Sequence, residues 1–108
     1  MSITIPVWFF PEVSGYEPQT TFWADFSIAD AFGEYAVKDT FNRSFACWKS
    51  NVKYLTELAL VLNHKAWEHN GRNESLSMVY VHLYEKVDAY ALKHLKGADL
   101  QYYLDTID

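Results

Sequence analysis

The segment VLNHKAWEHNG, residues 61–71, places two histidines, a glutamate and a tryptophan just before a glycine. Imidazole and carboxylate groups are common zinc ligands and common general acids and bases, so this spacing could serve a metal or acid/base site. The same segment also fits the last turns of a buried helix. The choice depends on whether His64 and His69 can point at one ion.

On one helix they cannot, because residues five positions apart point about 140° apart. His64 falls in a polar strip, whereas His69 falls on the apolar side. His82 and His94 lie on the next predicted helix, and a short antiparallel connection would put His94 at the opposite end of the bundle from His69. His69 and His94 each suit a helix end, where the dipole favours a cation. The sequence therefore predicts no metal ligands, no cofactor and no catalytic residues.

Asn63 is the more unusual residue of this segment. It falls beside Val52 and Ala59 on the helical projection, which predicts a buried structural amide. A buried amide must be hydrogen-bonded, so we expect a bond to a neighbouring helix or to the N-terminal backbone. The alternative interpretation is an aromatic-lined pocket that contains Asn63 together with Glu57 or His64.

The composition indicates one globular domain spanning residues 1–108, because half of the residues are hydrophobic and 21% are charged. The net charge is −5 and the basic residues form no cluster, which argues against nucleic-acid binding. No apolar run approaches the ~20 residues that a membrane helix needs. The lone Cys47 and the lack of a secretory signal predict a reduced, cytoplasmic protein.

Residues 1–20 hold all three prolines and are expected to form an extended arm. Trp8, Phe9 and Phe10 lie in this arm. The aromatic content of 18% is more than a core of this size easily covers, and aromatic residues are enriched where subunits meet. We therefore expect the arm to contact a second copy of the chain in a homodimer; packing on its own subunit is the alternative.

Residues 21–96 carry helical periodicity, which predicts an all-α bundle of three main helices, and residues 98–107 predict a short C-terminal helix. Ser27 followed by Asp30 resembles a helix cap, so the first helix is expected to start near Ser27. Gly33 either bends this helix or ends it. The segment from Val52 to His69 is the most apolar and is expected to be the central helix.

The later helix boundaries carry recognisable signals. Asn51 or Ser50 can cap the central helix, and Gly71 suits a left-handed position after it. Asn73 or Ser75 can cap the next helix, which is expected to run from Glu74 to about Lys96.

Three segments carry a family resemblance: DFSIADAFGEYAVKDTF, WKSNVKYLTELALVLNHKAW and HLKGADLQYY. From about Phe22 to the C-terminus, the sequence resembles a family of small uncharacterised proteins found in bacteriophages and mobile elements of gut anaerobes. The resemblance implies a phage or prophage accessory role. It implies no activity and no catalytic residues.

These observations favour a non-enzymatic helical interaction protein that self-associates and binds a host or phage protein. This interpretation rests on the excess of aromatic residues, the acidic charge pattern without a basic cluster, and the lack of converging polar groups. The alternative function is that of a small-molecule-binding or enzymatic helical bundle with an aromatic-lined pocket.

Overall fold

The computed structural model describes residues 18–107, the first four of them by their backbone alone. The prediction of an all-α fold is confirmed, since the described range contains helices and no strand. The predicted interface residues Trp8, Phe9 and Phe10 lie outside the described residues. The five helices are α1 (Pro18–Phe32), α2 (Glu34–Trp48), α3 (Val52–His69), α4 (Glu74–His94) and α5 (Gly97–Ile107).

Helix α1 begins at Pro18, so the prediction of a helix start near Ser27 is wrong, and residues 18–20, which the sequence assigned to the extended arm, are helical. Proline suits the first turn of a helix, where its missing N–H has no intrahelical partner in any case. The buried stripe of α1 includes Phe22 and Phe26. Ser27 lies well inside the helix and Asp30 lies in its last turn, and both bond a lysine of α3, which explains their cap-like spacing without a helix start.

Gly33 ends α1, which settles the open choice between a bend and a break. Its φ of 103° is a left-handed conformation that residues with a Cβ rarely adopt. The first helical segment is therefore divided into α1 and α2. The bundle has four longer helices followed by the short α5, rather than the predicted three plus one.

Helix α3 is the centre of the bundle, as predicted. It packs against each of the other four helices. Leu55, Leu58, Val61 and Leu62 on this helix are completely buried. A helix that is covered on most sides can place a polar side chain in the interior only if that side chain finds partners there.

The predicted caps of α3 and α4 are confirmed. Asn51 Oδ1 accepts hydrogen bonds from the backbone N–H groups of Lys53 at 3.1 Å and Tyr54 at 3.2 Å. Asn73 Oδ1 accepts a bond of 3.0 Å from the N–H of Leu76. Gly71, between the two helices, has the expected positive φ of 85°. These local signals set the turn that joins α3 to α4.

The short helix α5 is attached to α4 through Tyr103. This side chain is fully buried, and its hydroxyl donates a 3.1 Å hydrogen bond to Asp88 Oδ1. Burial and the neighbouring Asp88 charge raise the pKa of Tyr103, so the phenol stays protonated and remains a donor. Helix α4 ends at His94, two residues before the expected Lys96.

None of the helices within residues 18–107 has the length and apolar character needed to cross a bilayer.

Candidate functional site

A buried ammonium group, that of Lys65 on α3, is the centre of the most polar part of the interior. Lys65 follows Leu58 by seven residues, or two helical turns, and therefore points in nearly the same buried direction. Only 3% of its side chain is exposed. Its Nζ donates to Asp30 Oδ2 at 2.9 Å, Glu68 Oε2 at 3.0 Å and Ser27 Oγ at 3.1 Å. An ammonium group has three N–H donors, so all of them are used.

Asp30 on α1 joins three helices through its two carboxylate oxygens. Oδ2 accepts from Lys65 and also lies 3.0 Å from Nε2 of His69, which donates when that nitrogen carries the proton. Oδ1 accepts a hydrogen bond from the hydroxyl of Tyr80 on α4. Six side chains form this polar cluster: Ser27, Asp30, Lys65, Glu68, His69 and Tyr80.

The charges in the polar cluster stabilise one another. Burial by itself raises the pKa of Asp30, but hydrogen bonds from Lys65, Tyr80 and His69 outweigh burial and lower it. Burial by itself lowers the pKa of Lys65, but the bonds and negative charges of Asp30 and Glu68 outweigh burial and raise it. Burial and Asp30 both raise the pKa of Tyr80. At neutral pH the cluster therefore holds a carboxylate, an ammonium and a neutral phenol.

Three residues of this cluster could in principle hold a metal ion. Among the described residues, Asp30, Glu68 and His69 each offer one ligand atom, and these atoms lie within 4.8 Å of one another. The Lys65 ammonium already bonds both carboxylates. A metal ion would have to displace a buried cation from its two carboxylate partners, so the cluster suits an internal salt bridge better than a metal.

The four histidines have different surroundings. His69 ends α3 as predicted, and its ring stacks on Tyr80 with centroids 5.7 Å apart. His64 meets the ring of Trp23 edge-on at 4.5 Å. His94 ends α4, packed against a tyrosine of its own helix, and His82 is exposed.

The second feature is an open, mostly apolar groove on the outer face of α3, with a volume of about 310 Å³. We call it the tryptophan groove. This groove partly matches the aromatic-lined pocket that was the alternative interpretation of the sequence. It combines aromatic side chains with Asn63 and His64, but Glu57 is not part of it. The lining residues are Trp23, Leu60, Asn63, His64 and Trp67.

Asn63 is exposed, so the prediction of a buried structural amide is wrong. The reason is that the surroundings of α3 change along its length. Thr56 lies seven residues earlier and points in nearly the same direction, yet it is completely buried. The other helices cover this direction at Thr56 and leave it open at Asn63.

The prediction from sequence missed Lys65 and the partnership of Asp30 with it. A signal for Lys65 was present, because it is a charged residue in the middle of the apolar arc of α3. Asp30 carried no comparable signal, since an acidic residue near a helix start has an ordinary explanation. Its partners come from α3 and α4, which are distant in the chain.

The sequence matches no protein-family model, and comparisons with curated proteins and with solved structures find no significant match.

Proposed function

We propose that this protein is a non-enzymatic helical interaction protein that self-associates. The observation that carries the proposal is the outward face of α1. Every exposed residue of α1 whose side chain is described is uncharged, and the largest, Ile28 and Phe32, are 61% and 78% exposed. The full set is Ala24, Ser27, Ile28, Ala31 and Phe32.

A second copy of the chain is the partner that suits this face. Ala24, Ile28 and Phe32 follow one another at intervals of four residues, so they form one ridge along α1. In a two-fold dimer each copy presents the same surface, and an uncharged ridge can meet itself without burying like charges. Tyr35, at the start of α2, is a further exposed aromatic residue, at 84%.

The internal bonding of the polar cluster supports a non-enzymatic role. All three donors of Lys65 and both oxygens of Asp30 have partners within the protein. Elemental analysis of protein purified without a histidine tag should find zinc, iron and manganese well below one ion per chain. A stoichiometric metal would contradict this part of the proposal.

Light scattering of the full-length protein tests self-association. We expect a dimer at tens of micromolar, and we expect Ile28→Asp with Phe32→Asp to be monomeric because the two copies would then bring like charges together. Leu92→Asp is the control, since Leu92 is a similarly exposed residue, at 55%, on α4. A monomeric wild type refutes self-association, and a dimeric double variant removes this face from the interface.

The predicted arm can be tested in the same way. Deleting Met1 to Pro11 removes Trp8, Phe9 and Phe10, and we expect the dimer to weaken because these aromatic residues contribute to the interface. A truncated chain that is as dimeric as the full-length protein excludes the arm from it.

The family resemblance supports a phage or prophage accessory role in which a host or phage protein is bound. Genes for phage structural or replication proteins beside the coding sequence would agree with this role. A position among housekeeping genes would contradict it.

A second candidate function is small-molecule binding, which the tryptophan groove favours. It combines a volume within the range of ligand sites with an exposed amide and an imidazole. A thermal-shift screen with metabolites tests it, because a specific ligand raises the melting temperature by mass action. The absence of a shift with every compound would count against this function.

A further inference from the structure

The two tryptophans of the tryptophan groove differ, because Trp23 is held by contacts with α3 and Trp67 is exposed. The Lys65 ammonium lies 5.6 Å from the ring centroid of Trp23, and the His64 ring meets Trp23 at 4.5 Å and 76°. Trp23 is therefore held in place by contacts with α3. Trp67 is 72% exposed, so its indole remains largely in contact with water. An exposed tryptophan beside a groove supplies a large apolar surface for a ligand.

Two polar side chains stand beside this apolar surface. Asn63 lies one helical turn before Trp67 and on the same face of α3. Its amide offers donors and an acceptor, and the ring nitrogens of His64 offer further hydrogen-bonding positions. A hydroxyl group can donate and accept at once, so a ligand rich in hydroxyls matches both side chains.

The charge of the groove restricts the ligand further. The lining contains no lysine, arginine, aspartate or glutamate. Lys65, which contacts Trp23, is already bonded to Asp30 and Glu68 and is not available to a ligand anion. A phosphate or carboxylate group would find no lysine or arginine counter-ion in this lining, whereas a neutral ligand needs none.

The volume of about 310 Å³ lies near the lower limit of ligand sites, which run from about 300 to 1,000 Å³. The space is therefore suited to one ring rather than to an extended molecule.

We propose that the tryptophan groove binds a neutral sugar ring. The C–H groups on one face of the ring pack on the electron-rich face of the Trp67 indole, and ring hydroxyls bond Asn63 and His64. This inference rests on the second proposed function and names its ligand class. A nucleobase could also stack on Trp67, but a nucleotide carries phosphates that this groove does not neutralise.

Nuclear magnetic resonance of the ¹⁵N-labelled full-length protein tests the proposal. The probes are methyl glucoside, methyl galactoside and N-acetylglucosamine, each raised to tens of millimolar. We expect at least one of them to shift the indole N–H signal of Trp67 and the side-chain amide signals of Asn63 in a saturable manner. Adenosine and indole are the comparison ligands, because they contain rings but lack the hydroxyl arrangement of a pyranose sugar.

Variants locate the effect within the groove. Trp67→Ala should abolish the response to sugar, and Asn63→Ala should weaken binding about three- to tenfold through the loss of one hydrogen bond. His64→Ala should have an effect similar to that of Asn63→Ala. Asn42→Ala and His82→Ala are matched controls, because both residues are exposed on other helices, and neither should change the response.

Three results would overturn the proposal. Shifts with indole or adenosine but with none of the sugars would keep small-molecule binding and exclude sugars. A sugar response that survives Trp67→Ala would place binding elsewhere. No shift with any probe would remove the sugar site, and the thermal-shift screen with metabolites would then decide the second proposed function by itself. Light scattering without sugar decides self-association separately, so the failure of one proposal is distinguishable from the failure of the other.

Discussion

Lys65 and Trp67 are two residues apart on α3, yet their surroundings are opposite. The ammonium of Lys65 is buried and bonded to three partners, while Trp67 is a large apolar side chain left in water. A polar group inside and an apolar group outside both oppose the usual distribution, but they have different consequences. The first must be satisfied for the protein to fold. The second adds little to folding and is available for binding.

Breaking the polar cluster at Asp30 should have the largest effect on folding. Asp30→Ala removes one partner of a nearly buried ammonium and also the acceptor of Tyr80, and losing one member of a buried ion pair costs about 3–5 kcal/mol. Urea denaturation of the variant and the wild type measures the loss.

The control for Asp30→Ala is Asp39→Ala. Asp39 pairs with Arg43 at 3.0 Å, but both side chains are about half exposed, so we expect a change of at most about 1 kcal/mol. Equal losses in the two variants would mean that burial does not distinguish these ion pairs.

The same residue predicts an acid-dependent loss of stability. The pKa of Asp30 is lowered in the folded protein, so its contribution is complete above the unfolded value of about 3.9 and is lost as pH falls through the folded value. The stability advantage of the wild type over Asp30→Asn should therefore shrink below about pH 4. A difference that stays constant from pH 7 down to pH 2 would contradict the assignment.

Lys65→Met should have a smaller effect, on the order of 2–3 kcal/mol. The reason is that Asp30 is less buried than Lys65 and keeps its bonds from His69 and Tyr80. Lys53→Met is the matched control on the exposed side of α3, and its urea midpoint should be nearly unchanged. If the two lysine variants are equally stable, the ammonium of Lys65 does not hold the cluster together.

The polar cluster and the tryptophan groove also show which features of the structure could be predicted from the sequence and which could not. Helix α3 was predicted from Val52 to His69, and it has those bounds because its cap, its apolar arc and its terminal glycine are local signals. The helical projection treats all positions along a helix as equally covered. It therefore could not separate Thr56, which is buried, from Asn63, which is exposed.

The start of α1 was missed for a related reason. Ser27 and Asp30 have the spacing of a cap, and the spacing alone cannot show that both contact Lys65 on another helix. Partners that are more than thirty residues apart in the chain become visible only when the helices are packed. The all-α class was predictable from periodicity, whereas the polar cluster depended on tertiary contacts.

The contribution of Glu57 to stability should depend on pH in the opposite sense to that of Asp30. Within the described part of the chain, its Oε2 atom is buried without a hydrogen-bond partner, and burial raises the pKa of Glu57. A raised folded pKa means that this residue favours folding most at acid pH and that this advantage is lost as pH rises. Glu57→Gln should therefore raise the urea midpoint slightly at pH 7 and leave it unchanged near pH 3.

The control for Glu57→Gln is Glu85→Gln, at an exposed position of α4. Its urea midpoint should be unaffected at both pH values. A lower midpoint for Glu57→Gln at pH 7 would show that the carboxylate has a stabilising partner.

Asn63→Leu should have the smallest effect on folding, within about 0.5 kcal/mol, because the side chain is exposed. Thr56→Ser is the buried comparison in nearly the same direction on α3, and removing its methyl group should cost about 1 kcal/mol. Urea denaturation of both variants compares the stability contributions of positions 56 and 63. A large loss of stability in Asn63→Leu would mean that the Asn63 amide has a structural hydrogen-bond partner. If its stability is unchanged while its response to sugar is lost, folding and binding depend on different sides of the same helix.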